Sequence, residues 1–196
     1  MGSLWLHLQQ RVGRLKEYGA IADIGEIARR YFVMNAFDGV LTILGVLVGN
    51  YVAGVRDAMV VVSTGLSTCF AMGISGLWGA YLTEAAERKR DLNDLEGYTL
   101  TKLGGTKIGR ASGVAVIVVA LIDGLAPLLS ALMALLPFFL HLDIAISYYL
   151  SLGLALAILF ALGVFLGAIS KVNLIVSGLK MVGAGLVCIL LGYLLD

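Results

Sequence analysis

Five long apolar stretches, separated by short polar segments, run through the chain. They lie at about residues 31–53, 58–83, 111–137, 144–169 and 174–195. Each contains roughly the twenty residues that an α-helix needs to cross the hydrocarbon core of a bilayer. None alternates apolar and polar side chains with the period of two that is typical of barrel strands. The pattern therefore predicts an all-α integral membrane protein with five transmembrane helices.

Composition points to the same class of protein. Sixty per cent of the residues are hydrophobic, 14% are charged and the mean hydropathy is +0.96, which is far from the average of soluble domains. The formal net charge is only +1, and no basic patch with interleaved aromatic residues is present. We therefore expect membrane lipids as partners and no nucleic acid.

The first 30 residues differ from the spans that follow. They lack the continuous apolar core of a cleavable signal peptide. Trp5, Leu8, Val12 and Leu15 recur at helical spacing, which is typical of an amphipathic helix lying on a membrane surface. We predict such an interfacial helix within residues 1–30, ahead of the first two transmembrane helices at 31–83.

Basic residues concentrate on one side of the predicted topology. Residues 1–30 and 84–110 together hold eleven of the fourteen Lys and Arg residues. The positive-inside rule then puts the N-terminus and the 84–110 segment, a loop with a helical extension, in the cytoplasm. After the three helices in 111–196, the C-terminus lies outside. Because the chain is compact and carries no vacuolar cue, we expect a prokaryotic plasma membrane.

A single group that is charged at neutral pH, Asp38, lies within the first span. A charge inside a bilayer costs on the order of 3 kcal/mol or more, so an intramembrane aspartate is a candidate for a functional site. At about 100° per residue, Asn35, Asp38 and Thr42 fall on one stripe of the helix, together with Gly45 and Gly49. We predict that Asn35, Asp38 and Thr42 line a transport pathway.

The third span contains a second carboxylate. Asp38-Gly39 and the residues after it resemble Asp123-Gly124 and its successors. This similarity reflects either a weak parallel repeat of two helices or chance likeness between apolar helices. In both cases Asp123 is a second intramembrane carboxylate, and we add it to the predicted pathway.

Met72 in the second span is the candidate partner of Asp38. Counting about 1.5 Å per residue from the cytoplasmic ends, Met72 lies roughly one turn deeper than Asp38. A thioether beside a carboxylate favours a transition-metal ion over magnesium. The alternative is that Met72 fills a gap in the core.

Just beyond the second span, Glu84, Glu87 and Asp91 follow one another at i, i+3 and i+7. If the helix continues into the cytoplasm, these carboxylates form one acidic stripe. The stripe would collect metal ions before they enter the membrane, or it is a solvated face that pairs with the basic residues 88–90.

Three segments resemble the vacuolar iron transporter family. Arg30–Gly49, with its Asp-Gly-x-x-Thr sequence and spaced glycines, is similar to that family's first helix. Ile74–Thr83 resembles its second-helix motif, commonly Ile-Ser-Met-Ala-x-Gly-Glu-Tyr-x-Ser. The end of the chain, from Leu166-Gly167 through Ser177-Gly178-Leu179-Lys180 to Gly192-Tyr193, also resembles the family. The resemblance covers most of the chain after residue 29.

The resemblance implies a homodimer of five-helix subunits that exports a divalent metal ion from the cytosol in exchange for protons. Asp38 matches the family's pathway aspartate. Two positions depart from the family pattern, since Gly76 stands in place of the pathway methionine and Ala80 in place of the motif glutamate. Met72, one turn away, is a substitute for the missing methionine.

The sequence therefore supports two hypotheses about function. The first is a transporter for Fe²⁺ or Mn²⁺, with the ion as cargo rather than as a permanently bound cofactor and with Asp38, Met72, Glu84, Glu87 and Asp91 as ligands. The second is a non-transporting or differently selective membrane protein of the same fold, with a lipid-associated or assembly role. We expect no enzymatic activity, because Asp38-Gly39 lacks the following residues of the phospholipid-head-group transferases.

Overall fold

A computed structural model describes residues 24–140 and 142–194 of the chain. The residues whose spacing predicts an interfacial amphipathic helix, Trp5 to Leu15, lie outside the described part. Within that part the chain is helical and contains no strand, which confirms the predicted all-α class.

Five long α-helices follow one another within the described residues. We label them α1 (Ile24–Val52), α2 (Ala58–Thr99), α3 (Lys107–Leu135), α4 (Ile144–Ser170) and α5 (Leu174–Tyr193), and a short 3₁₀ helix, Leu136–Leu140, follows α3 directly. By length and composition, each of the five is able to cross a membrane. The five apolar stretches of the sequence are thus five helices that are long and apolar enough to cross a membrane.

The chain divides into two compact units. Of the described residues, the first unit holds 24–32 and 76–123, and the second holds 33–75 and 124–194. The second unit contains most of the apolar helical segments, including all of α4 and α5.

In the first unit, the polar end of α2 leads into a short, hydrogen-bonded turn. The carboxylate of Glu96 accepts hydrogen bonds from the backbone N–H groups of Leu103, at 2.6 Å, and Gly104, at 3.2 Å. Gly109 packs closely on this turn, since a Cβ atom there would lie 2.6 Å from the carbonyl oxygen of Gly104. Because the turn is held in this way, the connection between α2 and α3 is confined to residues 100–106.

The core of the second unit joins residues from all of its helices. Tyr148 is its largest fully buried side chain. Its ring makes edge-on contacts with Phe138, at 5.1 Å between centroids, and with Tyr51, at 5.2 Å. Its hydroxyl donates to the backbone carbonyl of Val55 at 3.1 Å, so the polar end of the side chain is satisfied within the apolar surroundings. The most deeply buried members of the core are Val40, Ile43, Leu44, Leu47, Val61, Cys69, Ala131, Ala134, Leu135, Tyr148, Ala155 and Leu159.

A backbone hydrogen bond at one end and a side chain at the other fix the geometry of the turn between α4 and α5. Lys171 adopts a left-handed conformation with φ of 55°, and its backbone N–H donates to Gly167. The side chain of Asn173 then accepts from the N–H groups of Ile175, at 3.0 Å, and Val176, at 3.2 Å. These bonds satisfy backbone groups that would otherwise be left unpaired where one helix ends and the next begins.

Small residues allow α4 and α5 to approach each other closely. A Cβ atom at Gly163 would lie 2.4 Å from the carbonyl oxygen of Ser177 and 2.7 Å from the Cα of Gly178. Inside a membrane the solvent is as apolar as the side chains, so close van der Waals packing of this kind is a main source of helix association.

We expect Gly163→Ala to destabilise the protein by about 1–3 kcal/mol, because the added methyl group has to push the two backbones apart. The measurement is thermal unfolding of the purified protein in detergent. Gly153→Ala is the matched control on the same helix, since a Cβ atom there would meet nothing within 4 Å. Equal unfolding temperatures for the two variants would contradict this account of the α4–α5 contact.

Candidate functional site

One face of α1 in the second unit points away from the packed core. Asp38, Thr42, Gly45 and Gly49 are all exposed on it, and we call these four residues the outward stripe. They follow the helical spacing that the sequence predicts. The opposite face is fully buried in the core and consists of Val40, Ile43, Leu44 and Leu47.

The residue after Asp38 fixes how α1 sits against α3. Gly39 packs directly on the α3 backbone, since a Cβ atom there would lie 2.5 Å from the carbonyl oxygen of Pro127. The buried hydroxyl of Ser130 is 3.0 Å from the carbonyl oxygen of Ala36 and 3.1 Å from that of Pro127. With Gly39 held against α3, the preceding side chain of Asp38 is directed to the surface.

The carboxylate of Asp38 has no partner within residues 24–140 and 142–194, either as a hydrogen bond or as an ion pair. The hydroxyl of Thr42 does not reach it, because that hydroxyl donates to the backbone carbonyl of Asp38 at 2.8 Å. In a bilayer, a charge in this position needs compensation by water, a cation or another polypeptide.

Two other helices contact α1 on either side of the outward stripe. On one side, Asn50 donates its side-chain amide to the hydroxyl of Thr64 on α2 at 3.2 Å. On the other side, the thiol of Cys188 on α5 lies 3.6 Å from the carbonyl oxygen of Leu41. The stripe is therefore bordered by α5 on one side and, on the other, by α3 near Asp38 and by α2 near Asn50.

The other predicted pathway residues occupy less exposed positions. Asn35 is half-buried, one turn before Asp38 on α1. Asp123 is also half-buried and belongs to the first unit, at the end of its α3 segment.

Met72 is half-buried and packs against the core of the second unit. This is the environment of a methionine that fills an irregular gap between helices. A role of Met72 as a metal ligand therefore stays a prediction. Its role in packing is supported by its contact with the core.

The acidic residues beyond the second span lie on the polar half of α2. Glu84 forms an ion pair with Arg88, with 2.9 Å between the Oε1 atom of Glu84 and the Nε atom of Arg88. Glu87 and Asp91 are exposed. Across residues 24–140 and 142–194, no three His, Cys, Asp or Glu side chains are grouped so that they could hold a metal ion.

One exposed charged residue in an apolar helix was not among the site residues predicted from the sequence. Lys180 is exposed on α5, and it is the one charged side chain of that helix. A lysine a few residues inside an apolar span is a signal that sequence reasoning can detect, in the same way as Asp38.

Comparison with known proteins identifies a relative that matches nearly the whole chain. The sequence is 37% identical over 175 residues to "Uncharacterized protein MJ0645" of the archaeon Methanocaldococcus jannaschii. The match covers 88% of this chain and 90% of the relative. The chain belongs to the same family as this archaeal protein. No protein-family model matches the sequence.

We expect Ser130→Ala to lower the free energy of unfolding by about 1 kcal/mol, because the buried carbonyl of Ala36 loses its hydrogen bond from a neighbouring helix. The measurement is again thermal unfolding in detergent. Ser63→Ala serves as the control, since the exposed Ser63 hydroxyl bonds only within its own helix, to Val60 at 3.0 Å. A larger loss in the Ser63 variant would contradict the assignment.

Proposed function

We propose that the protein is a membrane transporter that moves a divalent transition-metal ion, Fe²⁺ or Mn²⁺, out of the cytosol in exchange for protons. Asp38 binds the ion, and Asn35, Thr42 and Asp123 are polar groups of the pathway. The N-terminus and the turn between α2 and α3 lie in the cytoplasm, and the C-terminus lies outside a prokaryotic plasma membrane.

The observation that carries the proposal is the exposed carboxylate of Asp38 on an apolar helix. A charge at this position without a partner destabilises the membrane-embedded state, which supports a functional role for Asp38. An arriving cation compensates the charge and so gains binding energy at that point. The resemblance of Arg30–Gly49 to the first helix of the vacuolar iron transporters supports the same assignment.

The outward stripe also supports the proposal of a homodimer. Gly45 and Gly49 have open space beside them, since a Cβ atom at either position would meet nothing within 4 Å. Exposed small residues at this spacing allow another helix to approach closely in a membrane. A second copy docked there encloses two Asp38 carboxylates between subunits and supplies ligands that one chain does not group together.

A second candidate function is favoured by the side chains that replace the family's ligands. Gly76 and Ala80 have no side-chain atoms that can bind a metal ion, and Met72 packs against the core. In this alternative the protein keeps the fold without moving metal, as a lipid-associated or assembly-forming protein. Transport measurements separate the two candidates.

Purified protein in liposomes is expected to transport Mn²⁺ when a proton gradient is imposed. Asp38→Asn should reduce this flux at least tenfold, because the amide keeps the shape of the side chain and removes the charge that binds the ion. Asp57→Asn is the matched control outside the spans, where Asp57 accepts the N–H of Met59 at 2.8 Å and an asparagine can do the same. Wild-type flux no higher than that of empty liposomes would rule out the transporter and favour the second candidate.

Gly45→Leu and Gly49→Leu are expected to convert the dimer into a monomer, because a bulky side chain keeps the two stripes apart. The mass of the protein in detergent, measured by light scattering on a size-exclusion column, reports the change. Gly153→Leu, at an equally open position on α4, should leave the dimer intact. A monomeric wild-type protein, or a dimer unaffected by either stripe variant, would contradict this interface.

A further inference from the structure

Lys180, like Asp38, is an exposed charged residue on a long apolar helix of the second unit. It lies six residues after Leu174, the first residue of α5. The exposed residues on its side of the helix, Val176 and Val187, are apolar. An ammonium group in such surroundings needs a partner for the same reason as the carboxylate of Asp38.

Contacts along α1 and α5 show that the two helices run in parallel and set their register. At the C-terminal ends, the rings of Tyr51 and Tyr193 lie 6.2 Å apart between centroids. Counting back thirteen residues from each tyrosine reaches Asp38 and Lys180. Their Cα atoms therefore lie at similar heights along the helix pair.

Two further contacts between α1 and α5 give registers that differ from this one by two to five residues. A Cβ atom at Gly192 would lie 2.6 Å from Cγ1 of Val48, and Cys188 contacts Leu41. Counted back from these contacts, Lys180 is level with residues 33–36 of α1. With a rise of about 1.5 Å per residue, the axial offset between Lys180 and Asp38 is at most about 8 Å.

The two charged side chains also point to the same side of the helix pair. At about 100° per residue, Asp38 is rotated roughly 70° from the side of α1 that carries Leu41 and Val48. Lys180 is rotated roughly 100° in the opposite sense from the side of α5 that carries Cys188 and Gly192. Because the two helices present opposite sides to each other, rotations of opposite sense bring both side chains to one surface.

We propose that Lys180 is the counter-charge of Asp38 and competes with the transported cation for its carboxylate. This inference rests on the proposed function. Lysine has a compact charge on a flexible stem of four carbons, so its ammonium group can bridge the distance between the helices. Among the described residues the two groups do not form an ion pair, so the ammonium group has to extend across the surface formed by α1 and α5 to neutralise Asp38 in the absence of an ion.

Competition of this kind sets the affinity of the site. A divalent cation that reaches Asp38 repels the ammonium group and displaces it from the carboxylate. The ion is therefore held less tightly than by an unpaired aspartate, and transport requires binding that is weak enough to release the ion again. Lys180 is thus a residue that tunes the affinity of the pathway without being a ligand of the metal.

A double-mutant cycle on thermal unfolding, without any metal, tests the pair. Asp38→Asn and Lys180→Met are each expected to lower the Tm by about 5 °C, because each leaves one charge without its partner. The double variant should recover most of this loss. Lys171→Met, at the exposed turn before α5, is the control and should change the Tm little. Additive losses in the double variant would overturn the pair, whatever the transport measurements give.

Titration with Mn²⁺ alone tests the competition. Lys180→Met is expected to bind Mn²⁺ about tenfold more tightly than the wild type, since a repelling charge close to the ion is removed. Lys180→Arg keeps the charge and should keep the weaker affinity. Unchanged affinity in Lys180→Met would overturn the competition.

The Tm measurements and the Mn²⁺ titration test the charge pair and the proposed transport function separately. If no variant binds Mn²⁺ while the Tm values remain coupled, ion transport and competition both fail and the charge pair stands. If Mn²⁺ binds but the Tm losses are additive, the pair fails and transport stands. Should a single variant not fold, the exchanged double variant Asp38→Lys/Lys180→Asp replaces it: recovery of folded protein supports the pair, and its absence overturns it.

Discussion

The organisation of this protein follows from one constraint, the charge of Asp38 on an apolar helix. Its neighbour Gly39 packs on the backbone of α3 so closely that no side chain fits between them. One position earlier on the helix, Asp38 is turned away from that contact and reaches the surface. Gly39, which makes the contact with α3, and Asp38, which carries the charge, are thus consecutive residues. A shift of one along the helix also shifts the other.

The exposed surface of α1 differs from an ordinary lipid-facing surface. It carries a carboxylate, a hydroxyl and two glycines, where lipid-facing helices usually present large apolar side chains. Lys180 adds a charge of opposite sign on the adjacent helix. The proposed pairing of these two charges offers compensation inside the chain, and a surface of small residues offers space for a second chain or for water.

Local sequence patterns were sufficient for the helical class and for the candidacy of Asp38. Five apolar stretches of suitable length leave few alternatives in a bilayer, where every backbone polar group has to be paired internally. The helix ends were less predictable. Helix α2 continues to Thr99, beyond its apolar part, because its polar residues favour a helix once it is started and because a carboxylate pairs with an arginine one turn away.

The sequence by itself determined the class of protein, the number of helices and the presence of a charge within a span. These properties depend on composition and on periodicity along one chain. Only the tertiary structure decided that Asp38 faces outward, that Met72 packs against the core, and that the helices of Asp38 and Lys180 contact each other. Those outcomes depend on which helices touch and in what register, and that information resides in contacts between residues far apart in the chain.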